Sequence, residues 1–133
     1  MQIQMPVDIA DVLQSLLNTN GVRACADPLP ANMDELLPIT RVQSIGGGRS
    51  VVVLDRHAVR LYTWAATDGA AITECGKALA IIAASAGTSA GGAQLYRVTP
   101  SAMPYPAHDP AHPTIPRACV TLDVYARAVE TTI

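Results

Sequence analysis

Charged residues are scarce in this sequence, and lysine is nearly absent. Only 15% of the 133 residues are charged, against roughly 25% in an average soluble domain, and Lys77 is the single lysine. Half of the residues are apolar, which excludes disorder for most of the chain. A lone monomer with so few charges would leave much uncharged surface open to water. We therefore expect partners to cover part of the surface.

The sequence also lacks a run of basic residues. Its eight arginines are scattered along the chain, and the net charge is −2. A domain dedicated to nucleic-acid binding usually has a strongly basic balance with clustered arginine and lysine. The composition therefore argues against a chain whose main task is to bind nucleic acid.

Paired cysteines, a targeting segment and a long apolar run are missing as well. Cys25, Cys75 and Cys119 are widely spaced and form no C-x-x-C motif, which indicates reduced, buried thiols in a cytosolic chain. No basic stretch opens the sequence, so no signal peptide is predicted. The most apolar segment, 78–86, has about half of the roughly 20 residues that a membrane span needs. We expect a soluble protein with no membrane contact.

Hydrophobic periodicity predicts two helices and several strands. Apolar residues recur at helical spacing over 7–19 and again over 70–86, where residues 67–69 supply an N-cap. The glycines at 46–48 are predicted to form a hairpin turn, and residues 55–57 a second turn or bulge. The predicted strands are 22–25, 39–45, 51–54, 58–64, 93–98 and 117–127.

This order of elements predicts a single α+β domain over residues 1–133. We expect a mainly antiparallel or mixed β-sheet with two α-helices packed on one face, a sandwich. Two proline-rich segments interrupt the pattern. Segment 27–38 is unusually apolar for a loop, and segment 100–116 holds six of the ten prolines, which is typical of an extended loop or arm.

Two short patterns suggest catalysis or metal binding, and each has a simpler structural interpretation. Residues 87–91 match G-x-S-x-G around Ser89, but a helix precedes them and a strand follows, the reverse of the hydrolase arrangement. His108 and His112 have the i, i+4 spacing of helical metal ligands, but prolines between and after them disfavour a helix. An exposed loop fits them better than a metal site.

Three further patterns lead to the same conclusion. Residues 46–50 resemble a phosphate cradle, but a valine-rich segment follows where a P-loop has a helix. His57 beside Asp55 has no nucleophile near it in sequence. Tyr62 and Trp64 have no basic surround that would favour stacking on a base. The sequence predicts no catalytic set, no metal site and no cofactor.

A connected series of short motifs nevertheless covers nearly the whole chain. The series resembles, in order and spacing, the small tail-terminator (tail-completion) proteins of long-tailed bacteriophages of the siphophage type. The motifs are the first helix with Asn20-Gly21-Val22, then Ala26-Asp27-Pro28-Leu29-Pro30, Leu37-Pro38, a strand reaching Ile45-Gly46-Gly47, and Pro116-Arg117 before a strand ending at Arg127.

The resemblance implies a structural virion protein that is not an enzyme. Proteins of this family form a hexameric ring on the head-proximal end of the tail tube. The ring ends tube polymerisation and presents a joining surface to the head–tail connector. The implied partners are copies of the chain itself, the tail tube protein and the connector protein, and DNA passes through the lumen without base-specific contact. The α/β sandwich of the family agrees with the fold predicted above.

The candidate subunit or tube interface lies in the two proline-rich segments. A ring subunit has to bury two different patches, one against each neighbour. The apolar loop supplies surface for such a contact, and segment 100–116 supplies an arm with a low ordering cost. The candidate interface residues are Asp27, Pro28, Leu29, Pro30, Met33, Leu36, Leu37, Pro38, Met103, Tyr105, His108 and His112.

Three alternatives remain open on sequence alone. The chain could be another neck component, such as a head-completion or stopper protein. It could be a small hydrolase that uses Ser89 with His57 or His108. It could also be a small cytosolic binding domain whose ligand site is segment 100–116.

Overall fold

Two helices and nine strands follow one another along residues 1–133, all of which the computed structural model describes. Neither helix is long and apolar enough to cross a membrane. The elements are β1 (Gln2–Met5), α1 (Ile9–Thr19), β2 (Ala24–Cys25), β3 (Ile39–Val51), β4 (Leu54–Trp64), α2 (Asp68–Ala84), β5 (Ser89–Ala90), β6 (Ala93–Pro100), β7 (Tyr105–Pro106), β8 (Arg117–Arg127) and β9 (Val129–Thr132).

Seven strands form one mixed sheet. Their order is β2-β3-β4-β8-β6-β5, with β7 paired to β8 in line with β6. Only β2 runs parallel to its neighbour, and all other pairs are antiparallel. The remaining two strands, β1 and β9, pair with each other as a separate antiparallel ribbon. The α+β class with a mixed sheet is confirmed.

Both helices begin at side-chain caps. Asp8 accepts a hydrogen bond from the backbone N–H of Asp11, and Thr67 accepts one from the N–H of Ala70. Such caps satisfy amide groups that have no partner within the first turn of a helix. The predicted helices are confirmed to within two residues at each end, and the cap predicted at residues 67–69 is Thr67.

A single large core joins the helices to the sheet. Alternate residues of β4 and β8 are fully buried, because successive side chains of a strand point to opposite faces. The apolar ones belong to one cluster of 22 buried residues, which includes residues of both helices. Members from these four elements include Leu13 and Leu17 of α1, Val59 and Leu61 of β4, Cys75 and Ile82 of α2, and Val120, Leu122 and Val124 of β8.

The hairpin between β3 and β4 turns at a different place from the predicted one. The glycines at 46–48 lie inside β3, the predicted strand 51–54 forms the turn, and residues 55–57 continue β4. The register moves between Ser44 and Gly47, where positive φ angles at Gly46 and Gly47 accommodate a bulge. Arg49 and Asp55 lie directly opposite each other across the strands and form a two-bond ion pair. This cross-strand pair fixes the register beyond the bulge.

The bulge places Gly47 where a side chain would clash with the backbone of the neighbouring strand. A Cβ at this position would lie 1.9 Å from the carbonyl oxygen of Arg56, and the φ angle is +131°. We expect Gly47→Ala to lower the free energy of unfolding by at least about 2 kcal/mol, because backbone strain and a backbone clash add. Gly48→Ala is the matched control, since nothing lies within 4 Å of its Cβ position and its φ is not positive. Urea denaturation checks both variants, and equal stabilities would contradict the bulge.

Candidate interaction surfaces

The apolar side chains of segment 27–38 pack inside the chain. Met33 is buried with Ile39 and Trp64 in a second, smaller core. The segment's own partly buried contributors to this core are Leu29, Leu36 and Leu37. Because these side chains fill an internal core, their apolar character is explained without a partner. Of the predicted interface residues of this segment, Asp27, Pro28 and Pro38 remain exposed, and Pro30 is half-buried.

Segment 100–116 does not project as an arm. Its residues Tyr105 and Pro106 form β7 against β8, and the following residues fold back over Trp64. Asp109 is buried there, although the prolines around it predicted an exposed loop. Of the predicted interface residues, Met103, Tyr105 and His108 are exposed, and His112 is half-buried.

Asp109 is the centre of a hydrogen-bond network. Its Oδ2 accepts from Trp64 Nε1 at 3.1 Å and lies 2.8 Å from His112 Nδ1. Its Oδ1 accepts from the backbone N–H of Ala111 at 2.9 Å, and Arg117 Nη1 is 3.9 Å away. Burial by itself raises the pKa of Asp109, but the bonds from His112, Ala111 and Trp64 and the charge of Arg117 outweigh it and hold the pKa below its ordinary value.

The two proline-rich segments therefore meet at one indole. Trp64 contacts the core formed by segment 27–38 on one side and bonds to Asp109 of segment 100–116. The guanidinium groups of Arg41 and Arg117 lie over the rings of Tyr62 and Trp64, at 4.9 and 4.3 Å from the centre of the Tyr62 ring. This end of the β3–β4 hairpin is thus closed by the chain's own loops.

The opposite end of the hairpin carries an apolar surface that the sequence analysis missed. In the β1–β9 ribbon, Met5 lies opposite Val129, and Met1 exchanges backbone hydrogen bonds with Ile133. All four side chains are exposed, Met1 by 78%. The signal that was available is the strict apolar–polar alternation of residues 1–5.

The turn of the β3–β4 hairpin lies beside this ribbon and adds two exposed apolar side chains to its apolar surface. Arg49 Nη2 donates to the carbonyl of Gln4 at 3.1 Å, and the N–H of Ala128 donates to the carbonyl of Val53 at 2.8 Å. Val51 and Val52 at the turn are exposed, Val52 by 73%. We call the set Met1, Met5, Val51, Val52, Val129 and Ile133 the ribbon surface.

The residues considered for catalysis are not assembled into a reactive group. The Ser89 hydroxyl bonds to the side-chain oxygen of Gln94 at 3.2 Å, and no hydrogen bond joins it to His57 or His108. His57 is buried on β4 with an unpartnered Nε2, and its burial lowers its pKa while the charge of Asp55 opposes this. No group of three or more His, Cys, Asp or Glu side chains is placed to hold a metal ion.

Arginines that are scattered in sequence are gathered in the fold, although the sequence contains no run of basic residues. The pairing of β4, β8 and β6 places Arg56, Arg60, Arg97 and Arg127 on the sheet face away from the large core. These four come from three strands and span 72 positions of sequence, so no run of basic residues reveals them. Alternation along β4 and β8 puts Arg56, Arg60 and Arg127 on one side of the sheet. On β6 the register shift between Leu95 and Arg97 brings Arg97 to the same side, opposite Tyr125.

No protein-family model matches the chain, and no curated protein matches it at a significant level.

Proposed function

We propose that this chain is a structural virion protein that forms a ring on the head-proximal end of a phage tail tube. The ring ends tube polymerisation and offers the surface on which the head joins the tail. Its partners are further copies of the chain, the tail tube protein and the head–tail connector. The family resemblance implies that the copies form a hexamer. The protein acts without catalysis or cofactor, and DNA passes through the ring.

The observation that supports this proposal best is the uncovered ribbon surface. A two-stranded ribbon is only marginally stable in water when nothing covers its apolar face. Here one side of the ribbon and the adjacent hairpin turn present six large exposed apolar side chains. A group of large apolar side chains exposed at one end of a fold is typical of a protein–protein contact.

A second patch lies at the other end of the sheet. A half-apolar groove of about 340 Å³ is lined by Leu37, Pro38, Ala65 and Ala66 together with the first turns of α2. The 11 residues of β4 separate this groove from the ribbon surface by roughly 35 Å. Two different patches at opposite ends allow a head-to-tail contact, and such a contact closes into a ring when the rotation between neighbours permits it. We propose that the ribbon surface of one copy occupies the groove of the next.

The mass of the native particle tests the proposal. We expect light scattering to give about six times the subunit mass of 13.9 kDa, with negative-stain images that show rings with a central hole. If the free chain is a monomer, it should join the ends of purified tail tubes and stop their growth. A monomer that never binds tube ends would overturn the proposal. Rings that bind the connector but not the tube would instead identify a stopper or head-completion protein.

A further inference from the structure

The open face of the large sheet carries a basic patch. Arg56, Tyr125 and Arg97 are direct cross-strand partners, so they form one row across β4, β8 and β6. Arg60 lies four residues along β4 from Arg56, and Arg127 lies two residues along β8 from Tyr125. We call Arg56, Arg60, Arg97 and Arg127 the arginine face.

Most of this positive charge has no internal partner. Among these four arginines only Arg56 has a carboxylate partner, Asp123, which accepts from Arg56 Nη1 at 3.1 Å. Arg60 reaches only the hydroxyls of Thr121 and Tyr62, each at 3.4 Å. Arg97 lies over the ring of Tyr125, and Arg127 reaches the hydroxyl of Tyr96. Arg60, Arg97 and Arg127 therefore have no carboxylate within 4 Å. Arg97 and Arg127 are exposed, and Arg60 is half-buried.

The helices carry charge of the opposite sign. Helix α1 contains Asp11 and no basic residue, and α2 contains Asp68 and Glu74 with Lys77 as its single cation. The net charge of −2 thus conceals a separation of charge, with acidic helices and an arginine-rich sheet face. A partner that binds the sheet face is selected by negative charge.

We propose that the arginine face binds the phosphate backbone of double-stranded DNA. The Cα atoms of Arg56 and Arg60 are roughly 13 Å apart along the strand, and those of Arg56 and Arg97 roughly 10 Å apart across it. In the structure each guanidinium group is held by a different neighbour, Arg56 by Asp123, Arg60 by Thr121 and Tyr62, and Arg97 by the Tyr125 ring, so the groups do not converge on one small anion. This spread suits a polymer that presents a phosphate every few ångströms, which guanidinium groups recognise without reading the bases.

Two tyrosine rings on this face, those of Tyr62 and Tyr125, are covered by arginines, which disfavours a single strand that would stack on them. Sequence-tolerant binding of single strands depends on bases stacking on open aromatic rings. Here Arg97 lies 4.2 Å from the centre of the Tyr125 ring, and Arg117 lies 4.3 Å from that of Tyr62. The guanidinium groups already occupy these ring faces. A duplex needs no such platform, because its bases remain stacked inside and its phosphates face outward.

This inference concerns the surface of one chain and does not depend on ring formation. If three unpaired arginines each contact one phosphate, a plot of log affinity against log salt concentration should have a slope of about −2.7. The affinity for DNA should then fall roughly 40-fold between about 50 and 200 mM salt. Binding of this strength is weak and independent of sequence. If the chain does form a ring around DNA, such contacts let the DNA move while they keep it centred.

The test measures binding of a fluorescently labelled duplex of mixed sequence by anisotropy at several salt concentrations. We expect Arg60→Gln to lower the salt slope by about 0.9, and the triple variant with Arg97→Gln and Arg127→Gln to lose binding at low salt. The matched control is Lys77→Gln, which removes one charge from the helices and should leave binding unchanged. A same-sequence single strand should bind more weakly than the duplex.

Three results would overturn the proposal. The first is wild-type protein that does not bind the duplex at low salt. The second is an equal effect of Lys77→Gln and Arg60→Gln, which would indicate net charge rather than a site. The third is a triple variant that loses self-association in the absence of DNA, which would identify the face as a contact with the acidic helices of a second copy. Native mass, measured on every variant, separates this inference from the ring proposal, because the ring can persist when DNA binding is lost.

Discussion

Asp109→Ala is expected to lower the free energy of unfolding by about 3 kcal/mol. The change leaves the buried indole N–H of Trp64 without an acceptor and removes the carboxylate that Arg117 and His112 face. A buried donor without a partner costs about 1–3 kcal/mol, and loss of one member of a buried charge pair costs more. Urea denaturation, followed by the fluorescence of Trp64, measures this change in the free energy of unfolding. Trp64 is the only tryptophan and is itself the residue that loses its acceptor.

Asp109→Asn is the conservative partner of this variant. An amide oxygen can still accept from Trp64, so we expect about half the loss seen for Asp109→Ala. If the two variants and the wild type unfold at the same urea concentration, the network does not stabilise the fold.

We expect the protein to lose stability in acid, because Asp109 stabilises the fold in its charged form. Its pKa is held below the ordinary value in the folded chain, so the folded state binds this proton less readily than the unfolded state. The stabilisation is therefore complete above about pH 4 and is lost as the pH falls through the lowered pKa. Asp55, whose pKa is lowered mainly by its bond to Arg49, contributes with the same sign. In Asp109→Asn, the free energy of unfolding should therefore fall less as the pH is lowered than it does in the wild type. The part of the fall that is due to Asp55 should remain.

Elements with a strong local signal could be predicted from the sequence. The two helices carry 3.6-residue periodicity and side-chain caps, and β8 alternates between apolar and polar residues from Val120 to Arg127. The hairpin was misplaced because three glycines in a row are a strong turn signal. In the structure that local signal is outweighed by the pairing of Arg49 with Asp55, a contact that no pattern within one strand reveals.

The surfaces depended on pairings between distant segments and could not be predicted. β1 and β9 are more than 120 residues apart, so alternation in residues 1–5 shows a strand but not its partner. The arginine face needs β8 to lie between β4 and β6, an order that differs from chain order. Asp109 sits in a stretch without periodicity, and its burial follows from the position of Trp64. In each case the missing information is which strands or loops are neighbours.

Val52→Asp is expected to prevent assembly while the subunit stays folded. Val52 is 73% exposed at the hairpin turn, so a charge there costs the isolated chain little. In a contact that buries this side chain, an unpaired carboxylate would cost several kcal/mol, which corresponds to at least about a 100-fold weaker association. Native mass at a fixed concentration measures the effect, or the capping of tail tubes if the wild type assembles only on a tube.

Met103→Asp is the matched control, because Met103 is 76% exposed, is also apolar and lies outside the ribbon surface. The pair of variants separates the two candidate interfaces, since Met103 belongs to the proline-rich segment that the sequence analysis selected. If the ribbon surface is the contact, Val52→Asp dissociates the particle and Met103→Asp does not. The reverse result would show that segment 100–116 forms the interface. If both variants assemble like the wild type, neither surface takes part in ring contacts. Met5→Asp, on the ribbon itself, should reproduce Val52→Asp, because the bond from Arg49 to the carbonyl of Gln4 holds the ribbon and the hairpin turn together as one surface.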